Sequence, residues 1–403
     1  MLTISEVRAA RERIADGILR TPCPPASGLH GIAPCRVHVK LESLQRTGSF
    51  KDRGSLNRLL DLTPAERVGG VVTASAGNHA QAVAYHCARL GIPATVVMPE
   101  GTPLVKVTNT RRFGARIFFR GTTLSDASDE VRRLESEEGL TVVHAFDDDR
   151  VIAGQGTVGL EMIEQVPDIT IAVVPIGGGG LISGIAIALR DARPDVRIVG
   201  VEAEVAASAL ASRHARRVIR IETSETIADG IATKQIGERT FPIIEKLVDE
   251  IVTVTEEETA AAVHTLLERQ KLVAEGAGAV PLAALMSGRV AVSEGDNAVL
   301  VVSGGNIDVN LISRIIDRGL LRDGRLARLM IKVRDRPGNL ARLADCVART
   351  GANVLDIAHR RAFADIRVGD VEIVMHLETR GREHVEEIIA ALEREGLVVE
   401  EDV

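Results

Sequence analysis

The feature that most constrains this 403-residue chain is an alternation of short apolar segments with longer amphipathic ones. Apolar, β-branched runs lie at residues 71–72, 94–98, 115–119, 141–146, 170–175, 197–202 and 298–303. Between most of them are stretches with the length and 3.6-residue period of helices, such as residues 78–90 and 181–192. Strands that alternate with helices form parallel sheets with helices on both faces. We therefore predict an α/β fold for residues 1–320.

The pattern changes near residues 314–328, where charged residues and two glycines replace the alternation. We place a linker at residues 321–328 and a second domain at residues 329–403. This second domain shows a strand, a helix, two strands, a helix and a last strand. Val371, Ile373, Met375 and Leu377 alternate with mostly polar residues, as expected for a sheet with one covered face. The order βαββαβ predicts a ferredoxin-like module.

Charge and cysteine usage exclude several classes of protein. The net charge of -7 is spread along the chain without a basic block, so no nucleic-acid partner is indicated. The four cysteines form no C-x-x-C pair and lie among aliphatic residues, which favours free thiols in a reducing cytoplasm over disulfides or zinc; they are Cys23, Cys35, Cys87 and Cys346. The histidines show no metal-ligand spacing, so we predict no metal site.

No membrane segment or signal peptide is predicted. Residues 169–189 are uncharged and long enough to span a bilayer, but Pro175 and the consecutive glycines after it would break a spanning helix. These residues fit a strand, a glycine turn and a helix better. The first twenty residues mix charge with apolar residues at helical spacing and lack a continuous apolar core.

The hexapeptide GQGTVG, residues 154–159, matches the G-x-G-x-x-G pattern of dinucleotide-binding domains. Such a fingerprint opens a helix directly after a strand, and an acidic residue ends the next strand. Here the charged loop DDDRVIA separates the hexapeptide from the preceding apolar run, and the next run ends in Pro175. Both tests fail, so we interpret GQGTVG as the glycine-rich start of a helix rather than a nicotinamide site.

A stronger anion site is predicted at Gly177, Gly178, Gly179 and Gly180, between the apolar run 170–175 and the helical stretch that begins at Leu181. Several unpaired backbone N–H groups at a helix N-terminus suit a phosphate monoester. A tight βα turn is the alternative, but such a turn rarely needs four glycines. No G-x-x-x-x-G-K-[ST] sequence occurs, so this is not a P-loop.

Lys51 is a candidate nucleophile or base. It follows Phe50 in the segment TGSFKDRG, and a lysine in partly apolar surroundings has a lowered pKa. Two polar segments, SAGNHAQ from Ser75 and SGGNID from Ser303, each follow an apolar run, at the carboxyl ends where α/β sheets bind ligands. Each segment alone is equally consistent with an ordinary βα turn. Together, a reactive lysine, a phosphate site and polar turns indicate pyridoxal phosphate.

Six segments in the same order make the chain resemble the threonine dehydratase (threonine ammonia-lyase) family of pyridoxal-phosphate enzymes. They are KLESLQRTGSFKDRG, TASAGNHAQAVA, VVPIGGGGLISG, ETIADGIA, AEGAGAV and SGGNID. The resemblance covers nearly the whole chain and implies the two-lobed tryptophan-synthase-β-like fold, fold type II, with a smaller lobe at roughly residues 50–150. GQGTVG belongs to the same set as a structural segment.

The resemblance also implies roles for individual residues. Lys51, next to Phe50, would bind the cofactor covalently and later remove the substrate's α-proton. Gly177 to Gly180 and Leu181 would hold the phosphate, Asn78 would contact the ring hydroxyl, and Ser303 would hydrogen-bond the pyridine nitrogen. The substrate carboxylate would bind the loop that contains Ser75, Ala76, Gly77, Asn78 and His79.

The implied reaction is the conversion of L-threonine to 2-oxobutyrate and ammonia, with weaker activity on L-serine. A serine hydroxyl at the ring nitrogen gives a weaker electron sink than an aspartate, which favours rapid loss of a β-hydroxyl over transamination. Related racemases have a serine acid where this chain has Ala76, so racemisation is at most a side reaction. Those relatives also bind a divalent metal through a glutamate and an aspartate; Glu202 matches the first, but Ser208 replaces the second.

Residues 335–354, DRPGNLARLADCVARTGANV, resemble the start of an ACT domain. Such domains pair between subunits, and many bind an amino acid at the start of their first helix. Gly338, Asn339 and Leu340 mark that position here, and isoleucine or valine are the ligands expected by analogy. Effector binding and dimerisation alone remain equally open. A homodimer or homotetramer is expected, and the choice between a catabolic role and isoleucine biosynthesis stays open.

Three other functions compete with a threonine dehydratase. The first keeps the cofactor and changes the substrate to L-serine or a β-hydroxyaspartate. The second is an amino-acid sensor with an inactive catalytic domain, which the intact set of candidate site residues argues against. The third is a nicotinamide dehydrogenase, which the failed tests on GQGTVG disfavour.

Overall fold

The structure, a computed structural model, describes residues 2–361, 367 and 369–402. The chain divides into two units, Met1–Asp308 and Val309–Val403. The strands of the first unit are β1 Arg36–Leu41, β2 Val71–Ala74, β3 Ala94–Met98, β4 Arg116–Phe119, β5 Thr141–Val142, β6 Ile171–Pro175, β7 Arg197–Ala203, β8 Glu250–Val254 and β9 Asn297–Val302. Its α-helices are α1 Ile4–Ile14, α2 Lys51–Leu60, α3 Pro64–Gly69, α4 Asn78–Leu90, α5 Leu104–Arg111, α6 Leu124–Glu138, α7 Asp149–Gln165, α8 Gly180–Ala192, α9 Ser208–Ala215, α10 Thr240–Leu247, α11 Glu256–Gln270 and α12 Gly276–Met286.

Two sheets organise the first unit. One has four strands in the order β4-β3-β2-β5, and the other has five in the order β1-β9-β6-β7-β8. Every pairing in both sheets is parallel, as the alternation predicted. Helices cover both faces of a parallel sheet, which is why all five residues of β6 are buried and its sequence IAVVP is apolar throughout. The α/β prediction is confirmed.

The sequence pattern missed β1 and β8 and made one strand too long. The residues of β1, RVHVKL, alternate apolar with basic side chains, although this strand pairs in parallel with β9. The strand predicted at residues 141–146 ends at Val142. Beyond it, the ring of His144 accepts hydrogen bonds from the backbone N–H groups of Phe146 and Asp147, so the chain turns away from the sheet.

GQGTVG lies in the middle of α7 and not at a helix start, which corrects our expectation. Its glycines allow three close helix contacts. A Cβ at Gly154 would lie 2.6 Å from the Cα of Gly54 in α2, and one at Gly156 would lie 2.9 Å from the carbonyl oxygen of Gly184 in α8. A Cβ at Gly159 would lie 3.0 Å from the carbonyl oxygen of Ile185. The pattern therefore reflects backbone packing and not a nucleotide site.

Residues 169–189 form a strand, a glycine turn and a helix, as predicted, namely β6, the turn and α8. Among the described residues, no helix combines the length and the hydrophobicity needed to cross a bilayer.

The second unit consists of α13 Val309–Arg322, β10 Leu326–Arg334, α14 Asn339–Arg349, β11 Asn353–Arg360, β12 Asp370–Glu378, α15 Arg382–Arg394 and β13 Val398–Glu401. The sheet order is β11-β12-β10-β13, and its pairings are antiparallel. After α13, the order βαββαβ is the predicted ferredoxin-like arrangement. Buried residues of β10 and β12, including Leu329, Ile331, Met375 and Leu377, pack on the two helices that follow α13.

The division of the chain differs from the one predicted. It falls after Asp308, so α13 groups with the second unit and not with the first. The end of α13 and the start of β10 occupy most of residues 321–328, where a linker was expected. The charges and glycines that suggested a linker are those of a helix C-terminus and of the turn at Gly324, whose φ is +67°.

Candidate active site

The glycine turn after β6 forms a cup of backbone atoms. Gly178, Gly179 and Gly180 are buried, and Gly179 has a φ of 92°, a conformation that favours glycine. Among the described residues, no acceptor is found for the backbone N–H groups of Gly177, Gly178 or Gly179. A Cβ at Gly178 would collide with the ring of Phe146. N–H groups without protein partners at a helix N-terminus favour an anionic ligand, so the turn fits a phosphate group.

Lys51 is the first residue of α2, and Phe50 precedes it as the N-cap. The Lys51 Nζ donates a hydrogen bond of 2.8 Å to the carbonyl oxygen of Ala145, the residue before Phe146 at the glycine cup. Burial lowers the pKa of Lys51 to about 8. The Phe50 N–H donates to the carbonyl oxygen of Ser303 at 3.0 Å, which ties the start of α2 to the end of β9. The amine is therefore held near both the glycine turn and Ser303, the two segments predicted to bind the cofactor.

Ser303 directly follows β9 and is buried. Within the described part of the chain its hydroxyl has no hydrogen-bond partner, although its carbonyl oxygen is engaged by Phe50. A hydroxyl without a protein partner is available to a ligand atom. This geometry fits the predicted contact with a pyridine nitrogen.

The turn between β2 and α4 contains Ser75, Ala76 and Gly77, and Asn78 is the first residue of α4; all four are partly exposed. Gly77 donates its N–H to the Ser75 hydroxyl at 3.3 Å. His79 differs from them because it is buried, with Nε2 3.0 Å from the Val143 carbonyl oxygen and Nδ1 3.4 Å from the Ser55 hydroxyl. Burial and the nearby Lys51 charge lower the pKa of His79 to about 3, so its ring is neutral. Its contacts make His79 an anchor of the turn.

Sequence reasoning assigned no role to Glu275, which the structure brings to this site. It is buried immediately before α12, and its Oε1 accepts a hydrogen bond of 2.7 Å from Asn78 Nδ2. Burial, and then the charge of Asp229, raise the pKa of Glu275 to about 8. The segment AEGAGAV contains this residue, but an acidic residue at the start of a helix is common and did not single it out.

A buried network of four charged side chains holds the first turn of α2. Arg53, fully buried two residues after Lys51 in α2, donates to Glu42 and to Glu161 at 2.7 Å each. Lys40 of β1 completes the network with a 2.5 Å contact to Glu161 of α7. The paired guanidinium holds the pKa of Glu42 below its usual range. Two acids and two bases balance in charge and fasten α2 to β1 and α7.

Glu202, which matches a metal ligand of related racemases, is used differently here. Its two carboxylate oxygens accept hydrogen bonds from the N–H groups of Ala209 and Leu210, at 2.8 and 2.9 Å, at the start of α9. Burial raises the pKa of Glu202 to about 7. Both oxygens are thus occupied by the helix, and Ser208 offers no second carboxylate, so these residues do not fit the divalent site.

The predicted effector residues lie at the start of α14. Gly338 is its N-cap with a φ of 92°, and Leu340 is 43% exposed. The side-chain amide of Asn339 donates to the carbonyl oxygen of Arg334 at 2.8 Å. One of the amide hydrogens that we expected to face a ligand therefore closes the loop instead.

Residues 14–304 match the model of the pyridoxal-phosphate dependent enzymes. The chain belongs to this family, and its cofactor is pyridoxal phosphate. Its fold is the tryptophan-synthase-β-like fold type II, with a ferredoxin-like module at the C-terminus.

Individual relatives within this family are similar to the chain over most of its length. The chain is 45% identical to L-threonine ammonia-lyase of Thermotoga maritima, over 99% of both chains. It is 46% identical to L-threonine ammonia-lyase of Geobacter sulfurreducens, again over 99% of both. Among solved structures, maize serine racemase matches with a TM-score of 0.75 and 34% identity, covering 80% of this chain and 98% of that one.

Proposed function

We propose that this protein is a threonine ammonia-lyase, which converts L-threonine to 2-oxobutyrate and ammonia and acts more weakly on L-serine. The observation that carries the proposal is the convergence of Lys51, the unpaired N–H groups of Gly177 to Gly179, and the free hydroxyl of Ser303. Two relatives with the name L-threonine ammonia-lyase match almost the full length of the chain, which supports the choice of reaction.

Each residue has a defined task in this proposal. Pyridoxal phosphate, when bound, supplies an electron sink for the electron pair left at the α-carbon. The Lys51 amine takes the α-proton, and its lowered pKa keeps a useful fraction of it unprotonated near neutral pH. Gly177 to Gly180 and Leu181 hold the phosphate, and Ser303 hydrogen-bonds the ring nitrogen without protonating it. Loss of the β-hydroxyl gives an enamine, which hydrolyses to the 2-oxo acid and ammonia.

Ala76 bears on the alternative activity of a racemase. It lies in the turn after β2, where related racemases have a serine. A methyl side chain has no proton to deliver to the opposite face of the α-carbon, so D-serine formation is expected to be a side reaction at most.

The visible spectrum of the protein tests the proposed function. We expect a cofactor absorption band that shifts when L-threonine is added while 2-oxobutyrate accumulates in the same cuvette. Rates on L-serine and on a β-hydroxyaspartate, measured in parallel, should be lower than the rate on L-threonine. A cofactor band without 2-oxobutyrate would reject the substrate and leave the family assignment intact.

We further propose that residues 329–403 act as an ACT domain that binds a branched-chain amino acid. The ferredoxin-like order of this region and the left-handed Gly338 at the start of α14 support the proposal. Isothermal calorimetry with isoleucine and with valine should show saturable heat, and Gly338→Val should abolish it, because valine tolerates a positive φ poorly. The same titration with L-alanine serves as the control. Absence of heat with every branched-chain amino acid would reject this role.

Two expectations about the whole molecule remain proposals of the same kind. Assembly into a homodimer or homotetramer is supported by the ACT-like module, because such modules pair between subunits. A cytoplasmic location is supported by the cysteines, all four of which are free.

A further inference from the structure

We propose that Glu275 and Asn306 orient the side-chain amide of Asn78, so that its nitrogen is presented as a hydrogen-bond donor to the cofactor. They would be positioning residues, since each acts through Asn78. The inference rests on the cofactor site of the proposed function. It adds two residues to that site and fixes the direction of one hydrogen bond.

The orientation of the Asn306 amide is fixed by a backbone carbonyl group. The Thr47 carbonyl oxygen, 2.7 Å from the Asn306 side chain, can only accept, so the atom of Asn306 that contacts it is the amide nitrogen Nδ2. The same Nδ2 lies 2.8 Å from the Asn78 side chain. Because Nδ2 can only donate, the Asn78 atom that faces it is the oxygen Oδ1.

The nitrogen of Asn78 must then point to Glu275. Asn78 Nδ2 lies 2.7 Å from Glu275 Oε1, which accepts one of its two hydrogens. The reverse orientation of the amide would set nitrogen against nitrogen at Asn306. The contact with Asn306 therefore selects one orientation of Asn78, and its second amide hydrogen has no acceptor among the residues that the structure describes.

The surroundings of Glu275 keep this arrangement tight. Gly304 packs so closely that a Cβ there would collide with Glu275 Oε1 and lie 3.2 Å from Asn78 Nδ2. Glu275 also donates its backbone N–H to the Gly304 carbonyl oxygen at 3.1 Å. Burial raises the pKa of Glu275 to about 8, so at neutral pH the carboxyl group is protonated and places no buried negative charge beside a ligand oxygen.

The test measures cofactor affinity in the absence of substrate. Apo-protein of the full chain is titrated with pyridoxal phosphate, and the dissociation constant is read from absorbance. Glu275→Met removes the acceptor at similar volume, and Asn306→Ala removes the donor; each should weaken binding about tenfold or more, because the Asn78 amide loses a partner that orients it. Glu275→Gln keeps an acceptor oxygen and should stay within about threefold of the wild type.

Asn78→Ala distinguishes orientation from a general structural effect. If Glu275 and Asn306 act through Asn78, their substitutions in the Asn78→Ala background should change the dissociation constant less than about twofold, because coupled residues are not additive. The full tenfold effect in that background would overturn the proposal, as would a Glu275→Gln protein as weak as Glu275→Met. Urea unfolding checks that each variant is folded. Should Glu275→Met fail to fold, the cycle between the exposed Asn306 and Asn78 decides the question by itself.

The two proposals fail in different ways. A protein that shows this pattern of cofactor affinities and does not turn over L-threonine would disprove the proposed substrate alone. One that produces 2-oxobutyrate with additive effects at Glu275, Asn306 and Asn78 would disprove the positioning role alone.

Discussion

Replacement of Lys51 by alanine is expected to lower the rate of 2-oxobutyrate formation at least about 10³-fold, because it removes both the covalent anchor of the cofactor and the base for the α-proton. Lys51→Arg is the matched variant. It keeps a positive charge at the start of α2, but a guanidinium stays protonated at any working pH. Both variants should be equally inactive in a coupled assay of 2-oxobutyrate.

Absorption spectra and urea unfolding distinguish loss of the catalytic lysine from loss of the folded structure. The Lys51→Ala protein should lose the absorption band of the lysine-bound cofactor, while its urea unfolding midpoint stays near that of the wild type. Because Lys51 makes one hydrogen bond, to Ala145, its removal leaves the packing of α2 intact. If neither protein produced 2-oxobutyrate and the Lys51→Ala variant retained every measurable property of the wild type, the interpretation of the catalytic domain as an inactive sensor would be supported instead.

Replacement of Arg53 by methionine should destabilise the protein by about 3–5 kcal/mol. The substitution leaves Glu42 and Glu161 with one buried cation, Lys40, between them, and breaking a buried ion pair from one side carries this cost. The free energy of unfolding, from urea titrations monitored by circular dichroism, measures the effect. Arg132→Met is the matched control on the surface of α6, where loss of the exposed pair with Asp129 should cost less than about 1 kcal/mol.

The comparison of the two arginines decides what the buried charges do. Equal effects at Arg53 and Arg132 would contradict the assignment of Arg53 to a network that fastens α2. Arg53→Lys should recover part of the stability, since an ammonium supplies the charge without the two-sided fork that reaches Glu42 and Glu161 together.

Several elements could be predicted from the sequence to the residue. β3 has the predicted bounds 94–98, and α4 has the predicted bounds 78–90. In β3 four of the five residues are buried, so its composition is uniform. α4 ends at Gly91, whose left-handed conformation is the usual glycine stop signal. Local sequence determined both elements, which is why the pattern was sufficient.

β1 could not be predicted because its polarity is explained only by tertiary contacts. Its residue Lys40 is fully buried, a position that sequence patterns assign to apolar residues. The partner that makes this burial favourable, Glu161, is 121 residues away in the chain. No local pattern carries that information.

In the candidate site, too, some residues could be predicted from local sequence and others only from tertiary contacts. Lys51, Asn78, Ser303 and the four glycines lie in segments whose composition is unusual by itself, and the resemblance assigned their roles. Glu275 differs, since its importance arises from a contact with Asn78, 197 residues away. A single acidic residue beside glycine has many explanations in sequence. Only the folded chain shows that this one meets an amide.

The glycines of α7 determine how much this chain can vary in sequence. Positions 154, 156 and 159 are in contact with neighbouring backbones, so any side chain there would have to displace a whole helix, and α2 is the helix that begins with Lys51. Mutational tolerance at these positions is therefore set by the distance between helix axes and not by any reaction. The G-x-G-x-x-G spacing can thus be produced by close helix packing alone. Such a match indicates a nucleotide only when a strand and an acidic residue accompany it.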